Sequence, residues 1–286
     1  MSGLADLVRA ELSVPVDPRV TAMALAIAAQ YPGSARAVLF YGSCLRESAL
    51  DGLMLDFYLI VSDYGDAYPK RWLAAANRLI PPNVFPFQHE GLIAKYAVLS
   101  EADFHRLTGP ETRNVSVWAR FAQPSRLVWA VDDTAANRAV AAVARAAPTL
   151  LAAAGAVAGE APLDWWRRAF ALTYSVELRA ERSGRAQSVV DADAERYLRF
   201  SAPAIAAIPA RARSGGWARR RIEGKLLSIV RLAKASLTYA GGIDYLAWKI
   251  NRHAGTAIEI KPWQRRWPLV AALTLVPHLM KSGAIR

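Results

Sequence analysis

Apolar residues in the first half of the chain recur at two spacings, which predict helices and strands in alternation. Over residues 19–31 they repeat at intervals of three and four, the spacing of one helix face. Three apolar runs predict strands at 37–41, 53–62 and 93–100. Further helices are predicted over 1–15, 68–79 and 101–107. This alternation predicts an α/β or α+β fold for the first half.

From Thr134 onward the spacing is helical throughout. Helices are predicted over 136–151, 164–182, 189–200 and 224–239. The sequence Ser214-Gly215-Gly216 is typical of a link between them. We therefore predict three parts: 1–133, 134–215 and 216–286.

Net charge is also unevenly distributed along the chain. All of the +12 excess comes from residues 151–286, whereas residues 1–150 are balanced. A basic half predicts a polyanionic partner, either a nucleic acid or an anionic membrane. One cysteine excludes a disulfide framework and any multi-cysteine metal site. No stretch reaches the roughly 18 apolar residues that a bilayer-spanning helix needs.

The candidate site residues lie at the end of the first predicted strand and within the second. Gly42 and Ser43 follow the first strand, and Asp56 interrupts the apolar run of the second. A Gly-Ser turn offers backbone amides and a hydroxyl to phosphates, because glycine permits close approach. A carboxylate within an apolar strand needs a partner, since an unpaired buried charge is costly. Mg²⁺ is one such partner, and this combination is typical of nucleotidyl transfer.

Other interpretations of these residues stay open. Asp56 would have an ordinary role if it capped a loop or paired with an arginine. Most nucleotidyltransferase strands carry two acids one residue apart, but Met54 and Tyr58 occupy those positions here. A lysine within a strand, such as Lys95, is also common on an exposed edge strand. Cys44 is expected to be a small buried residue.

Five segments in order resemble the mitochondrial-type phosphatidate cytidylyltransferases, the translocator-assembly-and-maintenance family of CDP-diacylglycerol synthases. The first combines YGSCLRES with LMLDFYLIVSDY, where Met54 fits the family pattern. The others are LIAKYAVLS, VWARFAQP, LTYSVELRAE and the weaker SIVR, at residues 92–100, 117–124, 172–181 and 228–231. The chain departs from the family at Ala119, Gln123 and Glu177, where glycine, lysine and aspartate are usual.

The resemblance implies a fold, a reaction and a set of roles. The fold is α+β: a nucleotidyltransferase-type mixed sheet with helices, a mainly helical second domain and a C-terminal amphipathic segment. The reaction joins CTP to phosphatidic acid with Mg²⁺ as cofactor. Asp56 would bind the metal and act in catalysis with Glu177. The remaining roles are nucleotide binding by Tyr41, Gly42, Ser43 and Lys95, and phosphate binding by Arg120 and Arg179.

The C-terminal region carries the expected membrane contact. Basic residues and tryptophans precede an apolar stretch too short to span a bilayer, a pattern typical of an interfacial helix. The contact residues are Trp263, Arg265, Arg266 and Trp267. A last helix packed in the core is the alternative. The basic segment 211–225, with Trp217, fits RNA, anionic lipid or a solvated face.

We expect a peripheral protein of bacterial type at the cytoplasmic face of the inner membrane, with an anionic membrane rather than a nucleic acid as partner. Two other functions remain open. One is a nucleotidyltransferase acting on RNA, a protein or a small molecule. The other is a non-catalytic member of the fold.

Overall fold

The computed structural model describes residues 3–46, 50, 52–176, 189–210, 212, 214–238 and 261–263. Five predicted site residues lie outside these ranges: Glu177, Arg179, Arg265, Arg266 and Trp267.

One mixed sheet of five strands organises the described chain. The strands are β1 (Ala35–Tyr41), β2 (Met54–Val61), β3 (Asn83–His89), β4 (Leu92–Ser100) and β5 (Ser125–Ala130). They lie in the order β3-β4-β2-β1-β5. Strands β2 and β4 are parallel, and the other neighbouring pairs are antiparallel. The predicted α+β class with a mixed sheet is confirmed at this level.

Helices cover both faces of this sheet. They are α1 (Leu4–Leu12), α2 (Pro18–Ala29), α3 (Tyr64–Ala67), α4 (Arg71–Leu79), α5 (Glu101–Thr108), α6 (Ser116–Phe121), α7 (Asp133–Ala144), α8 (Ala146–Ala154), α9 (Pro162–Tyr174), α10 (Ala194–Ala206) and α11 (Trp217–Thr238). Capping residues set the first residue of several of these helices. Asp17 caps α2 ahead of Pro18, and the Ser100 side chain accepts a hydrogen bond from the Asp103 backbone, which opens α5.

Strand β2 sends its side chains alternately into two separate cores. Phe57 and Leu59 pack with α2, α3 and α4 on one face, as the alternation predicts. Tyr58 and Ile60 face the other core, with α1 and α5 to α10. That second core runs without interruption from the sheet into the helices after residue 133. The three-part division of the chain stays a prediction.

Both edge strands are missing from the sequence prediction. Strand β3 contains Pro86, which cannot donate to a ladder and is therefore tolerated at an edge. Strand β5 is only partly buried and lacks a clear alternation. The predicted helix 136–151 is also wrong as one element, because the chain breaks at Arg145 into α7 and α8.

Candidate active site

Three residues form a row across β1, β2 and β4. Tyr41 is the register partner of Asp56, and Asp56 is the partner of Lys95. Side chains of register partners lie side by side on the same face of a sheet. Lys95 Nζ accordingly lies 3.0 Å from Asp56 Oδ1, and about a quarter of each side chain is exposed (26% and 23%). Among the described residues, the ion-pair partner of Asp56 is thus a lysine.

The position of Lys95 excludes the alternative that it is an exposed lysine on an edge strand. Strand β4 lies between β3 and β2, so Lys95 is not on an edge strand. Its neighbours Ala97 and Leu99 on the same face belong to the buried core. An ammonium group at the start of an apolar face is held there by the adjacent carboxylate, since each charge reduces the cost of desolvating the other.

The Gly-Ser turn is shaped around Asp56. Gly42 has φ +99°, a conformation that side chains disfavour. A Cβ at this position would lie 3.2 Å from Asp56 Oδ2. Glycine is therefore needed for the backbone and for the space beside the carboxylate. Ser43 follows it, exposed at the start of a 3₁₀ turn (Ser43–Arg46). The predicted turn is confirmed, and its role in phosphate binding stays a prediction.

A cavity of about 150 Å³ opens beside this row. Four cationic side chains line it, together with the rings of Tyr41 and Tyr58. The cations come from three elements: Lys95 from β4, Arg120 from α6, and Arg231 and Lys234 from α11. Asp56 contacts this group through Lys95. A cluster of basic side chains around a small cavity favours an anionic ligand.

Arg120 is positioned by the residues around it. Its Nη1 donates to the Ser116 carbonyl oxygen at 3.0 Å and reaches the Tyr58 hydroxyl at 3.4 Å. The guanidinium carbon lies 5.9 Å from the centre of the Tyr41 ring. Tyr41 itself packs against Tyr58 and Phe121, with ring centres 5.2 and 6.1 Å away. This packing holds Tyr41 at the cavity, and its contact with a nucleotide stays a prediction.

Two cations of α11 fix that helix over the turn before β3. Arg231 Nε donates to the Pro81 carbonyl oxygen at 3.0 Å, and its Nη1 donates to Ser116 Oγ at 2.8 Å. Lys234 Nζ donates to the carbonyl oxygens of Ile80 and, at 2.8 Å, Pro82. The sequence prediction missed both residues as site residues. The sequence pointed to Arg231 only through the weak family resemblance of the segment SIVR, and it gave no indication of Lys234.

Lys234 is the most buried of the four cations, with 8% of its surface exposed. Burial, reinforced by the nearby Arg231 charge, lowers the pKa of Lys234 to about 7. Its charge therefore changes near neutral pH, whereas an exposed lysine stays protonated there. An anion that entered the cavity would favour the charged form.

The site offers one carboxylate that suits Mg²⁺, and the binding of magnesium stays a prediction. Among the described residues, no three His, Cys, Asp or Glu side chains are grouped to hold a metal. Mg²⁺, however, commonly binds one or two carboxylates and takes its other ligands from water and substrate phosphates. Asp56 Oδ1 is buried and accepts no well-aligned hydrogen bond, although Lys95 Nζ lies nearby. It is the residue here that suits such a metal.

Other predicted residues take structural positions. Cys44 is buried, and its thiol contacts the Met54 carbonyl oxygen at 3.5 Å, which confirms it as a small buried residue. Trp217 Nε1 donates to the Ala153 carbonyl oxygen at 3.1 Å, and Arg220 stacks on its ring. Trp217 is therefore partly packed against the core, and contact of the segment 211–225 with RNA or lipid stays a prediction. Trp263 is 43% exposed.

No protein-family model and no curated protein matches the chain. The described helices also include none that is both long and apolar enough to cross a bilayer.

Proposed function

We propose that this protein is a nucleotidyltransferase that joins CTP to phosphatidic acid, giving CDP-diacylglycerol and pyrophosphate. The observation that carries the proposal is the pairing of Asp56 with Lys95, which lines a cavity together with Arg120, Arg231 and Lys234. Both substrates are polyphosphate or phosphate esters, which such a cavity would favour. The choice of CTP and of the lipid rests on the family resemblance.

Different side chains and backbone groups of the site would bind different parts of the two substrates. The Gly42 backbone and Ser43 would hold the β- and γ-phosphates, and Lys95 would neutralise charge on the triphosphate. Arg120 suits a phosphate because its planar guanidinium binds two oxygens at once. Asp56 would hold Mg²⁺, which when bound withdraws negative charge from the phosphates.

The bond changes need no strong base. An oxygen of the lipid phosphate forms a bond to the α-phosphorus of CTP. The bond from that phosphorus to the oxygen bridging to the β-phosphorus breaks, and pyrophosphate leaves with the bonding electron pair. A phosphate monoester is already anionic near pH 7, so the nucleophile is ready without proton removal. The positive cavity then serves to bring two anions together, which would otherwise repel each other.

Pyrophosphate release tests the proposal directly. Purified protein with Mg²⁺ is given each of the four nucleoside triphosphates, with phosphatidic acid dispersed in detergent or omitted. Release that requires both CTP and phosphatidic acid is the expected result. Asp56→Asn should abolish it, while Asp66→Asn, which changes an exposed acid on α3, should retain it.

The other functions predict different outcomes. Release with another nucleotide, or without phosphatidic acid, would identify a nucleotidyltransferase with a different acceptor. No release, together with no effect of CTP and Mg²⁺ on the melting temperature, would favour a non-catalytic protein and overturn the proposal.

A further inference from the structure

The outer face of α11 carries apolar side chains in solvent. Ile222, Leu226 and Val230 are 65%, 59% and 42% exposed. They follow one another at intervals of four residues, so they form a narrow stripe along the helix. We call these three residues the α11 stripe. Single exposed apolar residues are ordinary, but a continuous row on one helix face marks an interaction surface.

The orientation of α11 is fixed from its inner face. Near its start, Trp217 bonds to Ala153, and a Cβ on Gly224 would lie 2.8 Å from the Val176 carbonyl oxygen. Near its end, Arg231 and Lys234 bond to the turn before β3. Trp217, Gly224 and Arg231 are seven residues apart, so these three anchors occupy one side of the helix over more than three turns. Rotation that would bury the α11 stripe would break all of them.

The charges beside the stripe indicate the kind of partner. Arg219, Arg221 and Lys225 are exposed in the N-terminal half of the helix, and Arg219 and Lys225 flank the stripe at helical spacing. The helix has one acid, Glu223, and it pairs with Arg219 and Arg113 at 2.7 and 2.9 Å. An apolar stripe bordered by basic side chains is complementary to an anionic lipid surface, where acyl chains receive the apolar groups and headgroups the basic ones.

We propose that α11 lies on an anionic membrane through the α11 stripe and its basic border. This surface lies in a different part of the sequence from the membrane contact predicted around Trp263, and it belongs to the helix from which Arg231 and Lys234 line the cationic cavity. The proposal extends the proposed function, because a lipid substrate would then be met beside the helix that closes its binding site. Membrane binding itself requires neither nucleotide nor catalysis.

Vesicle co-sedimentation without nucleotide tests this surface. Vesicles are phosphatidylcholine alone, or phosphatidylcholine with about a third phosphatidylglycerol, so no substrate lipid is present. The double variant I222Q/L226Q should bind the anionic vesicles at least tenfold more weakly than the parent. The matched control L25Q/L198Q removes two apolar side chains that are 49% and 51% exposed elsewhere, and it should bind like the parent. R221Q/K225Q should also weaken binding to the anionic vesicles. Its difference from the parent should be smaller at high salt, because salt screens the attraction between basic side chains and headgroups.

Two results would overturn the proposal. One is parental vesicle binding by I222Q/L226Q. The other is a parent that is dimeric in sedimentation analysis without vesicles and becomes monomeric in I222Q/L226Q, which would assign the stripe to a second copy. Circular dichroism melting checks that every variant is folded. Activity on detergent-dispersed phosphatidic acid is measured in parallel, so a failed membrane surface and a failed reaction are told apart.

Discussion

Lys95 Nζ lies 3.0 Å from Asp56 Oδ1, and the two residues are register partners on adjacent parallel strands. The register of the two strands places the residues side by side. The two charged groups therefore meet without any further change in the backbone. A lysine that neutralises a carboxylate in the resting protein can turn to a phosphate when one enters, while the carboxylate takes a metal. The pair is thus suited to a site that binds a metal–polyphosphate complex.

Replacing either member of this pair should remove activity from a protein that still folds. Asp56→Asn and Lys95→Met should each lower CTP-dependent pyrophosphate release below about a tenth of the parent rate, which corresponds to an activation free energy raised by more than about 1.4 kcal/mol. Because about three-quarters of each side chain is buried, the free energy of unfolding should also fall, by about 1–3 kcal/mol. Steady-state kinetics and urea unfolding check both numbers. A variant that retained half of the activity would contradict the assigned roles.

A methyl group at Gly42 should disturb the site through Asp56. Gly42→Ala places a Cβ 3.2 Å from Asp56 Oδ2 on a backbone with φ +99°. Gly33→Ala is the matched control, because Gly33 also has positive φ (+76°) but no atom within 4 Å of the added Cβ. Both variants should lose about 1–2 kcal/mol of stability from backbone strain. Only Gly42→Ala should also reduce the rise in melting temperature that CTP and Mg²⁺ produce, as measured by thermal shift. Equal rises in the two variants would contradict a nucleotide site at this turn.

Lys234 should make the protein more stable as the pH rises above neutral. Its pKa in the folded protein is about 7, below the 10.5 of an exposed lysine. Between these values the unfolded chain binds more protons than the folded one, so the free energy of unfolding increases with pH. Below pH 7 Lys234 is charged in both states and adds no pH dependence. From pH 7 to 9 its contribution should be about 2 kcal/mol.

Urea unfolding at pH 7 and pH 9 measures this effect by comparison. Lys234→Met should gain less stability over the interval than the parent does. Lys225→Met, which removes an exposed lysine from the same helix, should behave like the parent. An identical gain in all three proteins would show that Lys234 does not titrate in this range.

A buried ion pair between α1 and α10 should be important for stability. Arg196 and Glu11 form a two-pronged pair with 4% and 9% of their side chains exposed. Burial opposes the charge of Arg196, but the hydrogen bonds that it donates to Glu11 and the nearby negative charges together outweigh burial, so the pKa of Arg196 is raised. Arg196→Met leaves Glu11 buried without its partner and should cost about 3–5 kcal/mol.

The control for this pair is Arg78→Met. Arg78 pairs with Asp63 where both side chains are more than half exposed (56% and 54%), so its loss should cost less than about 1 kcal/mol. Urea unfolding at pH 7 gives both values. Similar costs for the two variants would contradict the importance assigned to burial.

The sequence by itself determined the elements in the interior of the sheet. The alternation through Phe57, Tyr58 and Leu59 specifies which side chains enter which core, because side chains of a strand point alternately to opposite faces. The same pattern isolated Asp56 as an acid among apolar residues and placed Gly42 at the preceding turn. Features of the site that depend only on adjacent residues, such as an acid within an apolar strand or a glycine at a turn, were therefore predictable.

Only the tertiary structure decided what meets Asp56. Lys95 follows Asp56 by 39 residues, and no local pattern fixes that the two lie opposite each other and not one position apart. Arg231 and Lys234 reach the cavity from more than 130 residues further along the chain than Lys95. A lysine on a helix has the same local sequence pattern whether it is solvated or buried. Its pKa and its part in the cationic cavity arise from the turn at Ile80–Pro82 that closes over it, a contact that packing alone creates.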